Sequence, residues 1–281
     1  MIVVTGATGN VGRPLIAALA AAGEEVVAVS RRPLSSSYPE GVRHAQADLG
    51  DFTSLGPVLK GADAFFILLA GELNGPGESA STLLDVARDA GVKRVVLLST
   101  HINETRPDSP AHFRLREFEE AVRTSGLDHT VLRPTGFASN AFAWAESVRS
   151  QRAVMAPFGD VALPVVDPAD VAEVAAAALR EDGHSGRTYV LTGPEVISPR
   201  TQSAAIAEAL GEEVAFTELT REQARAHLSR FMPEAVVDGT LDILGEPLPE
   251  EQEISLDVEK VLGRPARPFT EWVTRNLPAF H

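Results

Sequence analysis

Gly6, Gly9 and Gly12 punctuate the run Thr5-Gly6-Ala7-Thr8-Gly9-Asn10-Val11-Gly12. This G-x-x-G-x-x-G spacing can hold a pyrophosphate against bare backbone. Gly6 permits a tight turn. Gly9 has no Cβ, so the backbone can approach the phosphates. Gly12 lets a helix pack close to the sheet. The anion then meets free N–H groups and the positive end of a helix dipole. An ordinary glycine-rich turn is the competing reading. The run, however, follows the β-branched segment Ile2 to Val4 and opens a helical pattern, which is the context the motif requires.

A second signal lies where a dinucleotide-binding unit recognises ribose. An NAD enzyme places a carboxylate after the second strand, and that carboxylate would repel a 2′-phosphate. This chain has Ser30-Arg31-Arg32 instead. Arginine grips a phosphate bidentately, so the expected cofactor is NADP(H) rather than NAD(H). A solvated arginine pair at a loop edge is the plainer reading. Asp48 has two comparable roles: accepting from the adenine amino group, or capping the turn Asp48-Leu49-Gly50-Asp51.

These residues need a sheet to carry them. Short apolar runs at 2–4, 25–30, 42–47, 64–69, 94–99 and 128–133 read as strands. Helical patterns over 11–22, 53–60, 79–90 and 111–124 alternate with them, and Gly23, Gly61, Gly91 and Gly126 supply stops. Such alternation predicts an α/β, doubly wound parallel sheet, the Rossmann arrangement, which binds ligands at the carboxyl ends of its strands. After Pro134 the alternation loosens. The expected division is a dinucleotide-binding domain over 1–136 and a small C-terminal α+β substrate lobe over 137–281, with segments around 168–193 packing back on the first domain. Helices are predicted at 141–149, from Pro168 to Leu179, at 199–210 and at 221–231, and a strand at 188–191. Asp167 and Asp170 read as capping and dipole residues at the start of the alanine-rich helix.

Composition narrows the classes. The 281 residues include no cysteine, which removes disulfides, thiolate nucleophiles and Cys-ligated zinc. The net charge is −14, and no Lys/Arg run marks a nucleic-acid face. No apolar run approaches the roughly 20 residues of a membrane span, and no signal-peptide pattern precedes Gly6. A cytoplasmic protein, monomer or homodimer, acting on a small molecule without nucleic acid, membrane or metal, is the expectation.

Several segments together resemble a known family. TGATGNVG at 5–12, SRRP at 30–33, ADLGD at 47–51, LLST at 97–100, SGLDHTVLRPTGF at 125–137, YVLTGPE at 189–195 and DVEKVLGRP at 257–265 are similar to the atypical short-chain dehydrogenase/reductases. The likeness is narrowest to the NmrA-like branch, which includes NADPH-dependent quinone reductases. The resemblance implies a lobe that closes over the substrate cleft. It implies cofactor contacts at Gly6, Thr8, Asn10, Val11, Arg31, Asp48 and Leu69, and near Ala70, Ser99 and Thr100. Pro134 to Phe137, including Thr135, would lie beside the nicotinamide, and Asn140 would border the cleft. Phe137, Phe142 and Trp144 are candidates for walling an aromatic substrate, with core packing the alternative.

The catalytic pattern departs from that of most short-chain dehydrogenases, which use Tyr-x-x-x-Lys. The only tyrosines are Tyr38 and Tyr189, and no lysine lies between Lys93 and Lys260. The corresponding helix offers His112 and Arg116 at four-residue spacing, with Glu120 continuing the face. His112 could exchange a proton near neutral pH, and Arg116 could hold a developing oxyanion. A charged surface face is an equal reading. His101, just past Ser99-Thr100, is a second candidate, with a solvated loop histidine as its alternative. Carbonyl reduction benefits from a positioned acid, whereas hydride transfer to a quinone depends on one less. Two functions remain: an NADPH-dependent reductase of a small, aromatic or quinone-like electrophile, and a non-catalytic NADP(H) sensor that binds another protein. A nucleotide-sugar epimerase suffers most from the missing pair.

Overall fold

The computed structural model describes residues 1–31, 38–69 and 77–281. Strands β1 (Ile2–Val4), β2 (Val26–Ser30), β3 (Val42–Gln46), β4 (Ala64–Leu68), β5 (Arg94–Leu98) and β6 (Asp128–Pro134) come first. Next, β7 (Ala153–Pro157) and β8 (Leu163–Pro164) leave the sheet, and β9 (Arg187–Leu191) returns to it. The main sheet has seven parallel strands in the order β3-β2-β1-β4-β5-β6-β9. The inner strands are apolar on both faces because helices cover both, so their sequences run without alternation. Val3, Val27, Phe65 and Val95 are fully buried toward one side, and Val4, Ala28, Phe66 and Val96 toward the other. β1 pairs with both β2 and β4. The chain therefore reverses direction across the sheet at β1, and a crevice forms above its carboxyl end.

Helices α1 (Gly12–Ala21) and α7 (Pro168–Arg180) cover one face. Helices α2 (Gly56–Leu59), α3 (Ala80–Asp89) and α5 (Phe113–Thr124) cover the other, and the short α4 (Ile102–Thr105) follows β5. Val171, Ala172, Val174, Ala175 and Ala178 of α7 are all fully buried. Small side chains let α7 lie close against α1. The chain beyond β6 begins with a 3₁₀ turn at Ala138–Trp144 and α6 (Ala145–Gln151). It continues through β10 (Val196–Ile197), α8 (Pro199–Leu210), β11 (Ala215–Leu219), α9 (Arg221–Leu228), α10 (Glu234–Gly245), α11 (Asp257–Leu262) and α12 (Phe269–Asn276). A core of Val148, Ile206, Phe269, Trp272 and Phe280 joins α6 and α8 to α12, while Ala224, Val237 and Leu241 join α9 to α10. α7 and α11 pack against the main sheet, and β9 pairs with β6 at its edge.

Four expected helices differ. That over 53–60 starts as a 3₁₀ turn at Phe52–Leu55 and is α only over Gly56–Leu59. The helix expected over 141–149 starts as a 3₁₀ turn and becomes α only at Ala145. The helix expected from Ala111 begins at Phe113, after a 3₁₀ turn at Pro110–His112 whose proline favours a tight entry. The helix expected over 221–231 is α9, which stops at Leu228, and α10, starting past Pro233, was not expected. No helix among the described residues is long and apolar enough to cross a membrane.

Candidate active site

The glycine loop is built where β1 runs out. The Thr5 hydroxyl donates to the Phe66 carbonyl at 2.9 Å and accepts from the Leu68 amide at 3.0 Å, so the ends of β1 and β4 are tied together. Gly6 turns the chain with φ +65, and a Cβ there would press on Leu68 at 3.0 Å. The Gly9 amide donates to the Gly6 carbonyl at 3.0 Å and closes the turn. Gly12 is needed for a different contact from the one expected: a Cβ there would meet not the sheet but the Gly6 carbonyl oxygen, at 2.1 Å. Thr8, Gly9 and Asn10 are exposed, while Val11 and Gly12 are buried. The first turn of α1 has no side-chain cap and no acidic residue. The amides of Asn10, Val11 and Gly12 have no acceptor among the described residues. Oriented donors and an uncompensated dipole thus face the crevice.

At the end of β2, Arg31 is exposed and its carbonyl accepts from Gln46 Nε2 at 3.2 Å. Ser30 Oγ lies 2.9 Å from His44 Nε2, and Tyr38 stacks on His44. Burial raises the Tyr38 pKa, against the Ser30 hydroxyl and the charge of Arg13, which both lower it. Asp48 takes the turn-capping role, accepting from the Gly50 amide at 2.9 Å. Arg32 and Ala70 fall outside the described residues, and Leu69 is half-buried past the end of β4.

The ends of β5 and β6 carry the other candidates. Ser99 is buried, and its hydroxyl donates to Glu119 Oε1 at 2.5 Å, so that side chain is turned away from any cofactor. Thr100 Oγ1 accepts from the Ile102 amide at 3.3 Å. His101 is not a solvated loop residue. It is 8% exposed, its Nε2 lies 3.3 Å from the Glu250 carbonyl, and its Nδ1 stands 4.0 Å from Glu104. Pro134 is buried, and its carbonyl accepts from the His101 amide at 3.0 Å. The Thr135 hydroxyl donates to the Pro164 carbonyl at 2.5 Å, which leaves no free donor for a ligand. Phe137 is half-buried and bridges to Val166, and Asn140 is exposed.

His112 and Arg116 come together, but not as two residues on one continuous helix face. His112 caps α5 from outside. Ser109 links the pair: its Oγ is 3.4 Å from His112 Nδ1, and its carbonyl accepts from Arg116 Nη2 at 2.6 Å. Arg116 Nη1 is buried with no hydrogen-bond partner among the described residues. Burial, then the Arg116 charge, lowers the His112 pKa. Glu120 is exposed. Phe142 packs edge-on to Trp272 at 4.9 Å, a core contact, and Trp144 packs against the same core. A cleft of about 330 Å³ opens between Gly9 and Asn10 on one side and Ser139, Phe142 and Trp272 on the other.

Sequence reasoning missed Glu119. It is 2% exposed and accepts from Arg133 at 2.7 and 3.1 Å, Asn103 at 3.0 Å and Arg123 at 2.8 Å, besides Ser99. The available signal was a carboxylate within the inward pattern of α5, beside buried Phe118 and Val122. Burial would raise its pKa, but hydrogen bonds from Arg133, Ser99 and Asn103 and the Arg133 charge outweigh that and hold it at about 2.

Switch-point crevice, glycine loop and free helix terminus define an α/β dinucleotide-binding protein. The NAD(P)H-binding family model matches residues 6–182, and the chain belongs to that family. A (4-alkanoyl-5-oxo-2,5-dihydrofuran-3-yl)methyl phosphate reductase from Streptomyces griseus is 38% identical over 284 residues, covering 100% of this chain and 99% of the relative. An NAD(P)H azoreductase from Xenophilus azovorans is 32% identical over 286 residues, at 100% and 99% coverage. The crystal structure of an NADPH-dependent quinone oxidoreductase from Escherichia coli, complexed with NADPH, superimposes with a TM-score of 0.80 at 25% identity, covering 98% of this chain and 99% of that one.

Proposed function

We propose that this chain is an NADPH-dependent reductase of small conjugated electrophiles, of the quinone, enone or azo type, within the NmrA-like branch of the atypical short-chain dehydrogenase/reductases. One observation carries the reading: the crevice has a dinucleotide loop at one side and no Tyr–Lys pair at the strand ends. Tyr38 stacks on His44 at the edge of the sheet, and Tyr189 lies in β9, with its hydroxyl 2.9 Å from His184 Nδ1. Neither has a lysine beside it in sequence.

NADPH supplies the hydride. The chain's own residues bind and orient. The amides of Asn10 to Gly12 receive the pyrophosphate, with Gly6, Thr8 and Gly9 shaping the loop. Arg31, and Arg32 with it, receives the 2′-phosphate. Leu69, Thr100 and the backbone at Ser99, together with Pro134 to Phe137, frame the nicotinamide. Phe137 and Asn140 border the substrate. The relatives named above act on an unsaturated lactone phosphate, an azo compound and a quinone. Each accepts hydride into a conjugated system whose product anion is delocalised. Such an anion is a weak base, so solvent or a neutral-pH histidine suffices as proton source, and orientation carries the rate. His112 and Arg116 are the candidates for proton exchange and anion stabilisation, and His101 is a second.

The test is NADPH absorbance with purified protein and a panel of quinones, enones, azo compounds and imines. Oxidation above background with at least one class is expected. Tight NADPH binding without oxidation of any would favour the sensor.

A further inference from the structure

We infer that Glu119 is a positioning residue that fixes the carboxyl ends of β5 and β6 relative to each other, and with them the segments proposed to frame the nicotinamide. The inference rests on that placement of the site.

The geometry is unusual for a core helix. A carboxylate 2% exposed sits on α5 and takes hydrogen bonds from three other elements. Ser99 Oγ, at 2.5 Å, is the first residue past β5. Asn103 Nδ2, at 3.0 Å, belongs to α4, one turn further, and also donates to Ser99 Oγ. Arg133, through Nε at 3.1 Å and Nη2 at 2.7 Å, belongs to the end of β6. The third Arg133 nitrogen, Nη1, reaches Glu104 of α4 at 2.8 Å, and Glu104 stands 4.0 Å from His101 Nδ1. The backbone completes the frame: Ser99 N–H donates to the Leu132 carbonyl at 2.7 Å and His101 N–H to the Pro134 carbonyl at 3.0 Å.

A purely structural reason for this network is weak. A buried ion pair stabilises a fold no better than apolar side chains of the same volume. The rest of the α5–sheet contact is apolar, through Phe118, Ala121 and Val122. What the charged network adds is direction. A bidentate guanidinium has one allowed orientation against a carboxylate, and Ser99 and Asn103 each use the same oxygen. The strand ends are thereby locked in register where a ring must be held to within a fraction of an ångström. The other wall of the crevice has its own smaller lock, the Thr5 hydroxyl between β1 and β4.

The test uses Glu119→Gln, which keeps the shape and loses the charge, and Ser99→Ala, which removes the β5 arm. Ser99→Ala loses the Asn103 contact to that hydroxyl as well, and leaves both Arg133 bonds in place. Both are studied as NADPH complexes of the full chain, with 1,4-benzoquinone as acceptor and the fluorescence of bound NADPH as a readout independent of turnover. The NADPH dissociation constant is expected to stay within about threefold, because the glycine loop and Arg31 are untouched. kcat should fall at least tenfold in Glu119→Gln and by less in Ser99→Ala. Bound-nicotinamide emission should move toward that of free NADPH in both. Unchanged kcat and emission in a folded variant would overturn the inference, as would NADPH affinity falling in parallel with kcat. If Glu119→Gln does not fold, Ser99→Ala decides alone. If the wild type does not oxidise NADPH, the reductase reading fails separately, and the emission shift still tests the positioning.

Discussion

Gly12 and Gly6 touch through backbone alone: a methyl group on Gly12 would come within 2.1 Å of the Gly6 carbonyl oxygen and 2.9 Å of the Ala7 Cα. No side-chain rearrangement relieves that clash, because both partners are main chain. Gly12→Ala should therefore push the loop off the first turn of α1 and misalign the amides of Asn10 to Gly12. NADPH affinity is expected to drop by at least a hundredfold, about 2.7 kcal/mol. Calorimetric titration, with circular dichroism to confirm folding, checks it. Near-normal affinity would mean that the pyrophosphate does not lie there.

Arg31 is exposed at the end of β2, with its backbone held by Gln46. Its side chain forms no ion pair with any of the described residues, which leaves it available to a 2′-phosphate. Arg31→Ala should weaken NADPH by about tenfold or more, as expected for losing a charge-assisted phosphate contact, and leave NADH nearly unchanged. Equal losses for both cofactors would remove the 2′-phosphate from this arginine.

Local sequence signals carried the first 134 residues well. Strands β1, β2, β4 and β5 are apolar runs, and Gly23, Gly61, Gly91 and Gly126, all with positive φ, follow the helices there. The chain beyond Pro134 was harder to read because its elements are short and its two smaller cores are assembled from distant segments. α10 and α12 have no side-chain N-cap hydrogen bond to announce them. The acidic residues show the same divide. Asp167 caps α7 by accepting from the Ala169 amide at 2.9 Å, a local effect that sequence reveals. Asp170, expected to be a dipole residue, is fully buried and bonds to Arg264 at 2.8 Å, to the Arg267 amide at 2.7 Å and to the Arg267 guanidinium. Those partners lie more than ninety residues away, so no local pattern could announce them. Glu119, Arg133 and Asn103 lie 14 to 20 residues from the partners they share, on different elements, so their pairing also follows no local period.

His112 is predicted to be neutral at pH 7. Its burial and the adjacent Arg116 charge both disfavour the imidazolium, so its pKa lies below the ordinary 6.5. It would then serve as a base or as a hydrogen-bond partner rather than a ready acid. Nuclear magnetic resonance titration should show a midpoint below that of an unperturbed histidine, moving up in Arg116→Gln. Turnover unchanged in a His112→Ala, Arg116→Ala double variant would exclude both from the chemistry.

Glu119 should make the fold acid-sensitive in a defined window. Its folded pKa is about 2, whereas its ordinary value is 4.5. The folded state therefore binds this proton less readily than the unfolded state. The resulting stability is fully present above about pH 4.5 and is lost progressively as pH falls toward about 2. The difference corresponds to about 3 kcal/mol at neutral pH. In urea unfolding, Glu119→Gln should be less stable than wild type at pH 7, and the gap should narrow as pH is lowered from 5 to 3. A gap that stays constant across that range would mean that the destabilisation comes from packing and not from the ionised carboxylate that Arg133, Ser99 and Asn103 hold in place.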